Sequence, residues 1–194
     1  MADTTHIEWT DATWNIITGC DIGCAADGSP WPNTRSGILV YNTPGTVVTG
    51  NRLCHNHRSG ITIDGSRLPL SSPSWPQFGA LAGQGHACHT EVSANTITGN
   101  GLRGVLIFEG HDNLVKGNAI TGNPVGVDMI RLKHDRAATL TTARNAVTGN
   151  RFTANTLAAI RLKWTEATAI AGNSYEGNRR RIIRHHDEDT SMGK

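Results

Sequence analysis

One nine-residue phrase recurs along the chain, and its recurrence constrains the fold more than any other feature of the sequence. The phrase reads apolar-x-Gly-Asn-x-apolar-x-x-Asn, and it occurs at 48–56, 147–155 and 170–178, with close variants at 92–100 and 115–123. The first asparagines of successive copies lie 44, 23, 32 and 23 residues apart. Self-similarity at such a period is typical of solenoids, in which each coil packs on the next.

A second recurring phrase alternates apolar side chains with outward-facing ones. It occurs at 36–41, 59–64, 103–108, 129–134 and 159–164. Alternation with a period of two indicates a strand with one buried face. Each coil therefore supplies at least two short strands, and equivalent strands of successive coils pair in parallel at about 4.8 Å. Together the two phrases predict an all-β fold, a single-stranded parallel β-helix of about six coils.

The asparagines at the predicted corners have a physical role. A side-chain amide is both donor and acceptor, so asparagines stacked at the strand spacing can hydrogen-bond to one another along the axis. Asparagine and the glycine before it also tolerate the left-handed conformation that sharp corners require. The sequence predicts two ladders, one of Asn51, Asn95, Asn118, Asn150 and Asn173, and one of Asn56, Asn100, Asn123, Asn155 and Asn178.

The repeat resembles that of the right-handed parallel β-helices of the pectate-lyase-like superfamily. The resemblance covers residues 36–178 and implies a right-handed solenoid, which a long loop insertion rich in Pro, Ser and Gly interrupts at 65–89. It does not select an activity, because that superfamily includes lyases, hydrolases, epimerases, phage tailspikes and non-catalytic modules.

The two ends of the chain are expected to depart from the repeat. Residues 1–35 are predicted to form an N-terminal cap and an incomplete first coil, with Cys20 in the place of the first asparagine. Residues 7–20 also resemble the opening of a phage-encoded radical-SAM-like family, but the cysteine cluster of that family's iron–sulfur centre is incomplete here. Residues 179–194 are strongly charged and are predicted to form a polar cap or tail.

Charge and hydropathy argue against several classes of partner. The 18 Lys and Arg nearly balance the 16 Asp and Glu, so the overall field does not favour nucleic acid or an anionic membrane. No stretch approaches the roughly 20 apolar residues of a membrane span, and the first residues lack the basic and apolar segments of a signal peptide. We expect no nucleic-acid partner and no membrane partner, whereas compartment, cofactor and oligomeric state stay open.

Function in a β-helix is expected on the outward side chains of a sheet or in loops. Alignment of the second phrase predicts two adjacent outward columns. One contains Leu39, Thr62, Leu106, Arg131 and Arg161, and the other contains Tyr41, Asp64, Phe108, Lys133 and Lys163. The repeated IRLK segment thus predicts a patch of four cations on neighbouring coils, where arginine can make bidentate contacts with carboxylates.

An acidic polysaccharide is the partner that this face is expected to bind. The predicted substrate-binding residues are Arg131, Arg161, Asp64, Tyr41 and Asp135. Lyase-like relatives neutralise the uronate and remove the proton at C5 with a base, and here Lys133, Lys163 or His134 would be that base. His111 and Asp112 form a further candidate acid–base pair. The alternative is that these charges pair on a solvated face without a ligand.

A cluster of His and Cys residues indicates a different function. The segments CHNH at 54–57 and HACH at 86–89 together supply Cys54, His55, His57, His86, Cys88 and His89. These side chains can hold zinc or copper, although neither segment has the spacing of a zinc finger. A disulfide between Cys54 and Cys88, or plain surface histidines, are the alternatives. A non-catalytic structural or assembly module, phage- or surface-associated, remains the main rival to carbohydrate recognition.

Overall fold

The computed structural model of the chain describes residues 14–65, 87–131 and 142–185. The regular structure of these residues is entirely β, and its eighteen strands wind through six coils, which confirms the predicted solenoid. Each coil contributes one strand to each of three sheets, and all neighbouring strands pair in parallel. No described segment is a helix long and apolar enough to span a membrane.

Two of the sheets consist of short strands and the third of longer ones. The first sheet contains β1 (Ile16–Thr18), β4 (Val47–Thr49), β7 (Glu91–Ser93), β10 (Leu114–Lys116), β13 (Ala146–Thr148) and β16 (Ala169–Ala171). The second contains β2 (Asp21–Ile22), β5 (Arg52–Cys54), β8 (Thr96–Thr98), β11 (Ala119–Thr121), β14 (Arg151–Thr153) and β17 (Ser174–Glu176). The third contains β3 (Ile38–Tyr41), β6 (Ser59–Asp64), β9 (Arg103–Phe108), β12 (Val125–Ile130), β15 (Ala158–Lys163) and β18 (Ile182–His185).

The core is a narrow stack of aliphatic side chains. The middle residue of each short strand points inward, and in the first sheet Val48, Val92, Val115 and Val147 are in register and fully buried. In the second sheet the stack ends with Phe152 and Tyr175, whose rings lie parallel at a centroid distance of 5.6 Å. Full burial of one such side chain stabilises the fold by roughly 1.5–3 kcal/mol, so a thin core suffices when every coil repeats it.

Both predicted asparagine ladders are confirmed. Each asparagine except the last of its ladder donates its backbone N–H and one amide hydrogen to the Oδ1 of the equivalent asparagine one coil further along. From Asn95 to Asn118 the two distances are 2.9 and 3.0 Å. The second ladder repeats this pattern, with 2.9 and 3.0 Å from Asn100 to Asn123. Cys20 takes the first asparagine place as predicted, and its backbone N–H donates to Asn51 Oδ1 at 3.0 Å.

A third, shorter ladder was not predicted. Asn113 donates through Nδ2 to Asn145 Oδ1 at 3.1 Å, and Thr90 donates its backbone N–H to Asn113 Oδ1 at 2.9 Å. Each of these two asparagines stands five residues before an asparagine of the first ladder. This spacing of five residues, the length of one short strand and one corner, would have predicted the third ladder from the sequence.

The solenoid is longer at both ends than the sequence indicated. The first coil contributes β1, β2 and β3 to the three sheets, and so is not incomplete. At the other end β18 pairs with β15, beyond the expected boundary at residue 178. Ile182 takes the position next to the inward-facing Ile160, so the charged segment still supplies one apolar residue to the end of the stack.

Candidate functional site

The register of the third sheet decides which side chains share its outward face. β12 pairs with β15 so that Asp128 lies beside Arg161 and Ile130 lies beside Lys163. The two IRLK segments are therefore not in register, and the predicted stack of two arginines over two lysines is wrong. The strand that repeats the second phrase in this coil is Val125–Ile130, and the place expected for Arg131 is taken by Asp128, three residues earlier.

The residues of the expected stack lie elsewhere. Arg131 follows the end of β12, and its Nη1 lies 3.5 Å from Oε1 of Glu166. It therefore does not stand over Arg161. Lys133, His134 and Asp135 are outside the described residues, and their proposed roles stay predictions.

A buried carboxylate takes the place that was assigned to Arg131. Asp128 has a completely buried side chain, although its position faces outward from the sheet. Arg161 donates to it from Nε to Oδ1 at 2.8 Å and from Nη2 to Oδ2 at 2.5 Å, and Arg103 donates from Nε to Oδ2 at 2.5 Å. The hydrogen bond to Asp128 raises the pKa of Arg161. A single buried carboxylate thus orients two guanidiniums, one on the preceding coil and one on the following coil.

Both arginines line an open groove on the outward face. The groove has a volume of about 390 Å³ and is lined by Arg103, Ile130, Arg161, Lys163 and His185. The ammonium of Lys163 also lies 4.2 Å from the centroid of the Trp164 ring, which restrains this lysine at the strand end. Two of the predicted site residues, Arg161 and Lys163, are therefore brought together by the structure.

The other half of the third sheet differs in charge. Tyr41 and Asp64 are neighbours in register on the first two coils, and Phe108 separates Asp64 from Ile130. Neither Tyr41 nor Asp64 lines the groove. The cationic surface is therefore confined to the C-terminal half of the face, and the structure does not bring these two predicted binding residues to Arg161 and Lys163.

The proposed metal cluster is divided by the fold. Cys54 forms a disulfide with Cys24, so the alternative of a Cys54–Cys88 disulfide is wrong. Cys88 is a free, buried thiol at a different corner, and burial raises its pKa. Among the residues that the structure describes, no three His, Cys, Asp or Glu side chains are placed to hold a metal ion.

The histidines of that cluster lie at separate corners as well. His55 and His57 follow β5 of the second sheet, whereas His89 precedes β7 of the first sheet. His55 and His89 both adopt the left-handed conformation, with φ of 59° and 55°. They thus fill corner positions, and His86 is outside the described residues.

The candidate acid–base pair at His111 does form. His111 Nδ1 lies 2.7 Å from Asp112 Oδ2, and Arg144 of the next coil donates to the same carboxylate from Nε at 2.8 Å and Nη2 at 2.6 Å. The hydrogen bond from Arg144 lowers the pKa of Asp112 to about 2, with a smaller contribution from His111. Asp112 is therefore an ionised anchor for both neighbours.

Two groove residues, Arg103 and His185, and the buried Asp128 that orients the arginines were not predicted from the sequence. Arg103 was treated only as the start of a strand, and Asp128 was displaced by the wrong register. His185 was assigned to a charged tail, although β18 places it beside Lys163. A fixed spacing from the second ladder would have found Arg103, which stands three residues after Asn100 at the start of the third-sheet strand.

Three parallel sheets wound coil on coil, with stacked asparagines at their corners, define the class of parallel β-helix proteins. A protein-family model described as right handed beta helix region matches residues 36–191, and the chain belongs to that family. No curated protein matches the chain.

Among solved structures, the chain is similar to one titled "Crystal Structure of the periplasmic alginate epimerase AlgG". The TM-score is 0.54 and the sequence identity is 14%, with 90% of this chain and 44% of the other chain covered. Identity at this level shows a shared fold. The chain spans less than half the length of that structure.

Proposed function

We propose that the groove of the third sheet binds an acidic polysaccharide, a polyuronate in which each sugar carries a carboxylate. The observation that carries this proposal is the Arg103–Asp128–Arg161 cluster. Both guanidiniums line the groove, and each retains N–H groups that Asp128 does not occupy. Arginines held in place by a buried carboxylate lose less side-chain entropy when they bind a second carboxylate.

Charge in the groove favours an anionic ligand. Arg103, Arg161 and Lys163 supply three positive charges against the single negative charge of Asp128, which leaves an excess of two. His185 adds a further hydrogen-bonding group at the same surface. The similarity to a structure titled as an alginate epimerase supports the same ligand class, since alginate is a polyuronate.

Processing of the bound chain is the second part of the proposal. A base beside the sugar would remove the proton at C5. Lys163, the described residue of the predicted set that lines the groove, would do so only in its neutral form, while Arg103 and Arg161 supply the positive charge. Elimination would then break the C4–O bond and leave a C4=C5 double bond, and the leaving O4 would take up a proton from water in the open groove to become a hydroxyl. Epimerisation would instead return a proton to the opposite face of C5. Lys133 and His134 remain further candidates for the base.

Binding is tested by calorimetric titration of oligouronates into the purified protein. We expect binding that weakens as ionic strength rises, because the contacts are between charges near the surface. Lys163→Ala should weaken binding roughly twofold to fivefold, the range for one exposed ion pair. The matched control is Arg151→Ala, which removes one positive charge from the second sheet and should leave binding unchanged.

The same titration can contradict the proposal. Absence of binding, or binding that responds equally to Lys163→Ala and Arg151→Ala, would remove the groove as the site. Processing is measured separately, by ultraviolet absorbance of unsaturated uronates and by NMR of the recovered polymer. Binding without either product would make the protein a non-catalytic recognition module.

A further inference from the structure

A second group of cations lies at the C-terminal end of the solenoid, outside the groove. Arg179, Arg180, Arg181 and Arg184 are all exposed and fall within six residues of sequence. None of the four forms an ion pair with a carboxylate among the described residues. So dense a cluster without counter-charge favours an anion from outside this part of the chain.

The register of β18 joins this group to the groove. His185, which lines the groove, is in register with Lys163, whereas Arg184 is in register with the inward-facing Leu162. No further coil covers β18 in the described part of the chain, so a side chain at an inward position there lies over the end of the solenoid. Arg181, which directly precedes β18, has its guanidinium carbon 5.8 Å from the centroid of the ring of Tyr175, a residue of the last coil. The cationic surface therefore continues from the groove onto the end.

The asparagine ladders add hydrogen-bond donors to the same end. In every rung the backbone N–H and one amide hydrogen point toward the next coil, as from Asn150 to Asn173 and from Asn155 to Asn178. The amide of Asn178 is occupied by the carbonyls of Phe152 and Glu176, and that of Asn173 donates to the Val147 carbonyl. Among the described residues, the donors left at this end are therefore the backbone N–H groups of Asn173 and Asn178, which have no next rung there. Aligned amide dipoles leave a partial positive charge at the end that carries the free donors, as at a helix N-terminus.

We infer that the C-terminal end of the solenoid is a second anion-binding surface, over which a polyuronate held in the groove continues along the solenoid axis. The inference rests on the proposed function of the groove. From Arg103 on the third coil to His185 on the sixth, the groove spans three strand spacings, or about 14 Å. Only a chain longer than this reaches the arginines of the end.

Aromatic residues decide between a polyuronate and a nucleic acid at this surface. Single-stranded nucleic acids bind through bases that stack on exposed aromatic side chains. The strongly exposed aromatics of the described residues, Trp14 and Trp31, both lie on the first coil. Tyr175, at the end in question, is half-buried between Phe152 and Arg181. The end thus offers charge and N–H donors without stacking platforms.

The test compares short oligouronates, which fit within the groove, with long ones of the same composition. Wild-type protein should bind the long chains more tightly, and the double variant Arg180→Ala with Arg184→Ala should lose this gain. Each arginine should contribute roughly twofold to fivefold at low salt. Arg181 is left in place because it packs on Tyr175. The matched control, Lys116→Ala with Arg151→Ala, removes two exposed positive charges from the first and second sheets.

The outcomes separate this inference from the proposed function. Suppose that short chains bind and that Lys163→Ala weakens their binding. If long chains then bind no more tightly, or if their tighter binding survives the double variant, the C-terminal end is not a binding surface, whereas the groove remains the binding site. If neither short nor long chains bind, both fail. Tighter binding of a single-stranded oligonucleotide than of long oligouronates, lost in the double variant, would assign the end to nucleic acid and overturn the inference.

Discussion

The carboxylate of Asp128 and the guanidinium of Arg161 form a two-point hydrogen-bonded pair between the fourth and fifth coils, with Nε 2.8 Å from Oδ1. The Asp128 side chain is completely buried, whereas that of Arg161 is 24% exposed. Arg103 reaches the same carboxylate from the third coil. The Asp128 carboxylate thus links three coils and also orients the two arginines that line the groove.

Loss of the Asp128 charge should therefore affect stability and binding together. Asp128→Asn would leave two guanidiniums beside a neutral amide that cannot accept all their hydrogen bonds. We expect a loss of about 3 kcal/mol in the free energy of unfolding, the order found when one partner of a buried ion pair is removed. Urea denaturation measures it, with Glu91→Gln on the first sheet as the control. An equal effect of the two substitutions would contradict the structural role of Asp128.

How much of this site could be read from the sequence depended on the type of side chain. The asparagine ladders were predicted residue by residue, because each rung needs a side-chain amide that both donates and accepts, which few residue types supply. The left-handed conformation falls on the residue before each asparagine, which is Gly at most rungs but Ala94, Ala154 or His55 at others. Outward positions of the sheet carry no such requirement. The repeated letters IRLK at 130–133 and 160–163 therefore matched by composition and not by register.

The glycine positions indicate the register of the third sheet, which the outward side chains do not. Gly37, Gly60, Gly104 and Gly126 occupy equivalent places at the start of the third-sheet strands, each closely approached by the next coil. A built Cβ at Gly126 would lie 2.5 Å from the carbonyl oxygen of Ala159 and 2.8 Å from the Phe152 ring. Alignment on this glycine would have started the strand at Val125 and placed Asp128 correctly. The segment at 66–86 contains neither repeated phrase, so the sequence does not place its residues in a coil.

Gly126→Ala should destabilise the solenoid because its Cβ meets backbone that cannot move alone. We expect a loss of about 1–3 kcal/mol, as for overpacking in a close-packed core. Gly149→Ala is the comparison, since a Cβ there meets nothing within 4 Å and only the left-handed φ of 63° opposes it. That strain costs about 1 kcal/mol. Thermal denaturation of both variants ranks the two losses of stability. A larger loss for Gly149→Ala than for Gly126→Ala would contradict the close approach of the next coil to Gly126.

The four cysteines should differ sharply in reactivity. Cys20 is exposed and free, whereas Cys88 is buried and burial raises its pKa. Alkylation of the native protein followed by mass spectrometry should modify Cys20 quickly and Cys88 only after unfolding. Cys24 and Cys54 should react only after reduction.

Reduction of the Cys24–Cys54 disulfide should also lower stability. The bridge closes a loop of 30 residues, and a loop of that size stabilises by about 3–4 kcal/mol in the chain-entropy model. The double variant Cys24→Ser with Cys54→Ser should show the same loss without reductant. Cys20→Ser leaves the disulfide intact and should not lower the stability. Alkylation of Cys54 in the native protein without reductant would contradict the pairing of Cys24 with Cys54.

Acid should weaken the corner at Asp112. The hydrogen bond from Arg144 lowers the pKa of Asp112 to about 2 from its ordinary value of 3.8. A depressed pKa in the folded state stabilises the protein above the unfolded value, and this stabilisation is lost as the pH falls from about 4 to 2. We expect on the order of 1–2 kcal/mol, reduced by solvent because Arg144 is 58% exposed. Stability curves of wild type and Asp112→Asn should converge in this range, and parallel curves would contradict the assignment.

The asparagine ladder should be most sensitive at its centre. Asn118 receives two hydrogen bonds from Asn95 and donates to Asn150 Oδ1 and to the Val92 carbonyl. Asn118→Ala would leave buried groups on both neighbouring coils without partners, and each such group costs about 1–3 kcal/mol. We therefore expect a loss of about 3–5 kcal/mol in the free energy of unfolding.

Asn173 provides the matched comparison for this rung. It stands at the end of the same ladder and is partly exposed, so water can replace the lost amide. Asn173→Ala should cost about 1–2 kcal/mol, clearly less than Asn118→Ala. Both values come from urea denaturation at neutral pH. Equal losses at the two positions would contradict the role of the stacked hydrogen bonds, because Asn118 has a rung on both sides whereas Asn173 has one on only one side among the described residues.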